Sequence, residues 1–327
     1  MSDALYYAGL DVGGTSMKAG VVDDAGRVLS SVSVPTEAAR GQEYGLGQMV
    51  AAIREAVAAA RLGLGQVAAV GVATPGIMDI PGGVIIDPPN LRPWKNVPVR
   101  QHVADAFGKP TAFQNDGNAA ALGEFWAGAG QGADSLVLFT LGTGVGGGII
   151  VGGRVIEGRH SHGGELGHQR IELTNPRQCG CGRKGCLEAY ASATAVVKRA
   201  HEAMATGAPS SCLHRRRQSD QELSARDVFL AAAEGDALAD KVVEDTAFYL
   251  AVGAVNAMHT IDPDIVLFGG GMVGAGDDFL ERIRRHVREL ALPIPAERTE
   301  IRFADLGSDA GFIGAAACGR QLVKGGR

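Results

Sequence analysis

The sequence predicts an α/β protein of two domains built by duplication, and three observations carry that prediction. Strand-like and helix-like stretches alternate along 327 residues that are 46% hydrophobic, enough chain and enough apolar content for two cores. A strand, Gly loop, strand, turn, strand order occurs at Tyr6–Val34 and again at Ser135–Glu157. That spacing is a domain-scale duplication rather than a solenoid period. A Gly-rich segment, 160–190, concentrates three of the five cysteines, and a metal bound there would help to fold it. The N-terminal domain is expected over 1–115 and the C-terminal domain over 116–327, with the C-terminal helix able to pack back on the first.

In chain order, Tyr6–Leu10 is an apolar strand, DVGGTS at Asp11–Ser16 turns it, and a second strand runs to Val22. Asp24-Ala25-Gly26 turns again into Val28–Val34. Gln48–Leu62 places Met49, Ile53, Ala56, Val57 and Ala60 on one helical face, and Val67–Val72 follows as a strand ending in ATPG. Thr111–Phe113 is a short strand, and Asn115-Asp116 stands directly before the helical AALGEFWAG. The acid therefore sits at a strand's carboxyl end, where open α/β sheets place their ligands.

The second copy has the strand SLVLFTL, the loop GTGVGGG at Gly142–Gly148, a strand to Val151, the turn Gly152-Gly153-Arg154 and a strand at Val155–Glu157. Ser192–Ala205, Ala225–Ala233 and Ala237–Thr260 read as helices. Asp264–Phe268 is a buried strand turned by Gly269-Gly270-Gly271, and Asp277 opens a helix with Leu280, Ile283, Val287 and Leu290 on one face. Glu300–Phe303 is the last strand. Gly307–Val323 is a small-residue helix for which Ser308 is the expected cap.

Composition excludes several classes. A net charge of -5 and a pI near 5.9 provide no basic field for nucleic acid, and the basic run Arg215–Arg217 reads as a solvated loop. The opening MSDALYYAGLD lacks the positive segment of a signal peptide, so a cytoplasmic protein with free thiols is expected. Ser135–Gly153 carries no charge, yet its seven glycines with Thr140 and Thr143 fit two buried strands rather than a membrane span.

Cys179, Cys181 and Cys186, spaced C-x-C-x4-C, with His168 upstream supply the four ligands that structural zinc prefers. DVGGTS and GTGVGGG occupy equivalent turns, where backbone N–H groups and Thr15 can face phosphate oxygens. Asp11 is placed to orient the hydration shell of Mg²⁺. Gly269–Gly271 permits close approach of ribose and adenine, and none of these loops is the G-x-G-x-x-G of a Rossmann site. Asp116 can accept the proton of an attacking hydroxyl, although Asn-Asp at a helix start is equally an ordinary cap. Glu165, His168 and Glu188 offer directional donors and acceptors to a hydroxyl-rich ligand beside the metal loop, against the plainer reading of solvated loop acids.

With these motifs in order over about residues 6 to 320, together with NLRPW at Asn90–Trp94, ELGH and CGCGRKGCLE, the chain resembles the ROK (repressor, open reading frame, kinase) sugar kinases of the actin-like ATPase superfamily. The resemblance implies two duplicated actin-like/ribonuclease H-like domains with an interdomain cleft and a zinc-binding loop. It implies ATP with Mg²⁺ as donor, a hexose 6-hydroxyl as acceptor, and activity of the bacterial glucokinase type. Asp116 would be the general base. Asn115, Glu165, His168, Glu188, Gly76 and Asn90 would bind the sugar, and Asp11, Gly13, Gly14, Thr15, Gly142, Thr143, Gly144 and Gly270 the nucleotide. His168, Cys179, Cys181 and Cys186 would hold a structural Zn²⁺.

A homodimer or homotetramer is usual in the family, and no nucleic-acid or membrane partner is implied. Only ten residues precede Asp11, which leaves no room for the helix-turn-helix of family repressors. The shared motifs do not choose the hexose. N-acetylmannosamine, N-acetylglucosamine, fructose and allose are alternatives to glucose, polyphosphate is an alternative donor, and a non-catalytic sugar sensor is the reading from another class. Residues 201–221 match no motif.

Overall fold

The computed structural model of the chain describes residues 5–206, 213 and 222–325. The Arg215–Arg217 run lies outside them. Strands β1 (Tyr6–Val12), β2 (Ser16–Asp23), β3 (Val28–Pro35) and β4 (Val67–Thr74) are followed by a small hairpin, β5 (Ile77–Asp79) and β6 (Val84–Asp87), and then by β7 (Thr111–Asn115). The first sheet runs β3-β2-β1-β4-β7. β1 and β2 pair antiparallel with Asp11 opposite Lys18, while β4 pairs parallel with β1 and β7, setting Thr74 opposite Asn115. Strands β8 (Ser135–Leu141), β9 (Val145–Val151), β10 (Arg154–Val155), β11 (Ile265–Gly269) and β12 (Glu300–Phe303) form a second sheet in the order β10-β9-β8-β11-β12. The same succession in both sheets is the structural counterpart of the repeated sequence pattern.

Helix α1 (Gln42–Ala59) covers one face of the first sheet, burying Leu46, Met49, Ile53 and Val57 against Leu10, Met17 and Val21. It begins six residues before the expected Gln48. A Cβ at Gly45 would overlap the Trp94 ring, so this glycine makes room for the indole inside a continuous helix. Helix α2 (Val99–Phe107) was not anticipated, because it buries only Val99 and Val103 and so presents almost no apolar period. Helix α3 (Asp116–Ala127) follows β7.

The remaining described helices are α4 (Glu188–Ala191), α5 (Ala193–Ala205), α6 (Ala225–Ala233), α7 (Ala237–Ile261), α8 (Asp277–Leu290), α9 (Pro293–Arg298) and α10 (Ala310–Lys324). Among the described residues no helix is long and apolar enough to cross a membrane.

Helix α10 lies on the other face of the first sheet, against β1, β4 and α3. Its approach is backbone to backbone: a Cβ at Gly9 would overlap the Phe312 carbonyl, one at Gly71 the Ala315 carbonyl, and one at Gly314 the Ala119 carbonyl. The buried Glu124 carboxylate of α3 fastens the entry to this helix, accepting the N–H groups of Ala129 at 2.9 Å, Asp305 at 3.1 Å and Leu306 at 2.8 Å.

One compact unit holds Met1–Leu138, Gly148–Gly164 and Asp305–Arg327, and the other holds Phe139–Gly147 and Glu165–Ala304. Helix α3 belongs to the first unit because it packs on α10, where a Cβ at Gly123 would come within 2.6 Å of the Ala310 carbonyl oxygen.

Two local expectations are corrected. The GTGVGGG segment is a loop only at Gly142–Gly144, since β9 begins at Val145. Gly148 is a strand residue whose missing side chain admits α3, as a Cβ there would lie 2.7 Å from that of Ala121. Ser308 does not cap α10: the N-cap is Asp309 without a side-chain bond, and the Ser308 hydroxyl accepts instead from Lys18 Nζ at 3.0 Å.

Replacing Gly71 by Ala should force α10 off β4 and lower unfolding stability in urea by about 1–3 kcal/mol, the usual scale of overpacking. Gly65→Ala, where nothing lies within 4 Å of the new methyl, should fall within about 0.5 kcal/mol of the parent.

Candidate active site

In the first unit the β1–β2 turn is tight because its glycines close it. Gly13 N–H donates to the Ser16 carbonyl at 2.9 Å. The buried Thr36, just beyond β3, then clamps it from below: its hydroxyl donates to the Gly13 carbonyl at 2.7 Å and its N–H to that of Thr15 at 2.9 Å. Gly14 and Thr15 are left exposed. Asn90 stands against this turn, its carbonyl oxygen 3.1 Å from where a Cβ of Gly14 would be. Gly76, with φ 101°, lets the chain cross Pro88, whose Cα would sit 2.6 Å from a Cβ, and so sets the path of the segment bearing Asn90.

Asp11, the last residue of β1 but one, lies against the first turn of α10, where a Cβ at Gly311 would overlap its carboxylate. Burial pushes its pKa up to about 7, the negative charge of Asp116 adds to the rise, and Lys18 opposes it. Lys18 is itself held by an ion pair to Asp309.

Asn115 is a true N-cap of α3. Its φ of -68° and ψ of 145° are extended, and its Oδ1 accepts the N–H groups of Gly117 at 2.9 Å and Asn118 at 3.2 Å. The cap occupies Oδ1 alone, and the amide nitrogen is a donor for other use. Asp116 is half-buried, with Oδ1 accepting Gly117 N–H at 2.8 Å. Capping and ligand binding are thus compatible at this pair.

In the second unit Gly142 N–H closes on the Gly144 carbonyl at 3.0 Å, and the Thr194 hydroxyl fastens the Thr143 carbonyl at 2.8 Å. Gly270, with φ 89°, brings the turn after β11 against the end of β8, where a Cβ would lie 2.5 Å from the Leu141 carbonyl oxygen. Glu188, the first residue of α4, has both oxygens engaged: Oε2 accepts Val145 N–H at 3.1 Å and Oε1 accepts from Cys179 Sγ at 3.4 Å. A Cβ at Gly144 would overlap Oε2, so this glycine turn and the cysteine loop are in direct contact through one carboxylate.

The donor atoms of His168, Cys179, Cys181 and Cys186 all lie within 4.8 Å of one another. Cys181 and Cys186 sulfurs are 3.8 Å apart, and Cys179 Sγ is 3.9 Å from His168 Nδ1. Tetrahedral zinc with Zn–S bonds near 2.3 Å needs sulfur–sulfur edges of about 3.8 Å, so the set fits that ion. His168 Nε2 then points away from the cluster, 4.0 Å from Glu165 Oε2.

The residues expected at the site therefore gather in two groups, one per unit. Asp11, Gly13, Gly14, Thr15, Gly76, Asn90, Asn115 and Asp116 belong to the first. Gly142, Thr143, Gly144, Gly270, Glu165, His168, Glu188 and the three cysteines belong to the second. Thr36, Thr194 and Lys18 escaped the sequence reading. A threonine after a strand and a lysine within one carry no motif, and only the fold shows what they touch.

A family model described as ROK family matches residues 7–321. The chain belongs to the ROK family. A glucokinase of Halalkalibacterium halodurans is 36% identical over 324 residues, 99% of this chain and 96% of that protein. An N-acetylmannosamine kinase of Yersinia pseudotuberculosis is 33% identical over 318 residues, 96% of this chain and 98% of that protein. The structure of a ROK hexokinase from Thermus thermophilus matches with a TM-score of 0.84 and 35% identity, covering 98% of this chain and 100% of that one. A ROK family glucokinase from Streptomyces griseus, in complex with glucose and AMPPNP, matches with a TM-score of 0.80 and 34% identity, covering 97% of this chain and 99% of that one. The fold of this ROK chain is accordingly that of the actin-like ATPase superfamily.

The raised pKa of Asp11 has a measurable consequence. Between about pH 4, the ordinary aspartate value, and about pH 7, the folded chain keeps a proton that the unfolded chain releases, so this group weakens the fold as pH rises. Urea midpoints of Asp11→Asn should match the parent below pH 4, gain on it steadily up to about pH 7, and hold a constant advantage above.

Proposed function

We propose that the protein is an ATP-dependent hexose kinase and that glucose, phosphorylated at its 6-hydroxyl, is its preferred substrate. The observation that carries this reading is Asp116, on the first turn of α3 directly beyond the carboxyl end of β7, in a chain similar along nearly its whole length to a glucokinase.

Asp116 acts as general base. As the sugar 6-oxygen bonds to the γ-phosphorus, its proton passes to the Asp116 carboxylate, the bond from phosphorus to the β,γ-bridging oxygen breaks, and ADP leaves. Asn115 orients a sugar hydroxyl through its amide nitrogen, the group its capping role does not consume. Asn90, Gly76, Glu165, His168 and Glu188 line the sugar. The Gly13–Thr15 turn and the Gly142–Gly144 turn, with Gly270, receive the nucleotide through the N–H groups that the internal bonds of Gly13 and Gly142 leave over. Asp11 would hold the water shell of Mg²⁺, which neutralises charge on the phosphates.

A zinc ion on His168 Nδ1, Cys179, Cys181 and Cys186 would supply rigidity and no reaction chemistry, since four protein ligands leave no open position. It would hold His168 with Nε2 outward beside Glu165 and keep the cysteine loop next to Glu188, which Val145 N–H fixes. A kinase for an N-acetylated amino sugar is the second reading, supported by the 33% identity to an N-acetylmannosamine kinase.

With ATP and Mg²⁺, a panel of glucose, N-acetylmannosamine, N-acetylglucosamine, fructose and allose should give the highest kcat/KM for glucose; a higher value for an amino sugar selects the second reading. Asp116→Asn should keep sugar binding and lose about 10²–10⁴-fold in kcat. Near-parental turnover in that variant excludes Asp116 as base. Elemental analysis should find one zinc per chain, and chelation should weaken sugar affinity before nucleotide affinity, measured by titration of each ligand.

A further inference from the structure

The buried Gln114 is the last residue of β7 but one, and its side chain joins three parts of the first unit. Its orientation is determined by its neighbours. The backbone N–H of Asn115 can only donate, so the atom facing it at 2.8 Å is Gln114 Oε1. The same oxygen accepts from Asn118 Nδ2 at 3.2 Å. Gln114 Nε2 is then turned to Glu157, donating to Oε1 at 2.7 Å, which is a charge-assisted bond.

Glu157 lies just beyond β10 in a segment that is itself pinned. Gly163 N–H donates to the Glu157 carbonyl at 2.7 Å, and the Ser161 hydroxyl accepts Ile80 N–H at 3.0 Å.

We propose that Gln114, aimed by Glu157, is a positioning residue for phosphoryl transfer: it fixes the peptide that carries Asn115 and Asp116, and with it the direction of the base. The inference rests on the kinase reading for its effect on turnover but not for its effect on the turn. The amide is the one group of this size that suits the place, because one end must accept from two donors while the other donates to a carboxylate. A carboxylate at 114 would satisfy Asn115 and Asn118 and confront Glu157. An apolar side chain would leave the Asn115 N–H, the Asn118 amide and the Glu157 carboxylate all without their partner. Asp116 stands two residues along the chain from Gln114, and its charge acts on Asp11.

The test is a donor–acceptor swap. Gln114→Glu should lower kcat by about 10- to 10²-fold, the scale of a small misplacement of a reacting group, with KM for sugar and ATP little changed. In the double variant Gln114→Glu/Glu157→Gln the carboxylate accepts from Asn115, Asn118 and the new amide, and most of the loss should be recovered. Hydrogen exchange read by mass spectrometry on a peptide spanning 113–120 should follow the same pattern. Protection of the Gly117 and Asn118 amides falls in the single variant and returns in the double. Glu157→Ala, which removes only the aiming carboxylate, should show the same loss to a smaller degree and serves if Gln114→Glu does not fold.

Unchanged exchange in the single variants overturns the proposal. So does lost protection with parental kcat, which would make the network structural only. A parent protein that phosphorylates no hexose defeats the kinase reading, while the exchange pattern still decides whether Gln114 holds the turn.

Discussion

The feature on which the first unit depends is the contact of helix α10 with bare backbone. Gly9 and Gly71 remove side chains from β1 and β4, and Gly314 and Gly123 remove them from the α10–α3 crossing. Backbones at this distance exclude water and gain dense dispersion contacts, but they tolerate no added methyl. The chemistry inherits this precision. Asp11 leaves β1 against the first turn of α10, and Asp116 opens α3, which α10 carries on its other flank. The spacing of two carboxylates that sense each other's charge is therefore set by glycines at positions with no chemistry of their own. The Glu124 carboxylate, buried on three backbone N–H groups, adds a polar lock where the chain enters α10.

In the second unit a carboxylate joins the glycine turn to the cysteine loop. Glu188 binds Val145 N–H with one oxygen and meets Cys179 with the other. A glycine turn suited to phosphate and a cysteine loop suited to zinc are thereby tied together by one side chain. Two of the four candidate ligands, Cys181 and His168, are exposed, and a bound ion would contribute directly to the stability of the loop.

Much of this was legible in the sequence because the signals are local. β1, β2, β4 and β8 follow apolar runs ended by Gly or Asp turns, β3 follows a Val/Ser alternation, α6, α7 and α8 follow the helical period, and C-x-C-x4-C with a histidine is a ligand count that needs no fold to recognise. The misreadings share a cause. The run Gly146–Gly148 reads as loop, whereas it lies within β9, where Gly148 makes room for α3. A glycine that turns the chain and a glycine that yields to a neighbour look the same in sequence. Ser308 failed as a cap for a similar reason, since Lys18, distant in the chain, offered its hydroxyl a better partner.

The sequence by itself determined most of the strands and longer helices, their duplication, the family and the inventory of reactive side chains, because each rests on composition, on periodicity or on short motifs that recur in order along the chain. The tertiary structure decided that helix α10 meets β1 and β4 backbone to backbone and that burial raises the pKa of Asp11 to about 7. It also decided that Gln114 faces Glu157. Those properties arise from burial and from contacts between residues far apart in the chain, and neither is written in any local pattern.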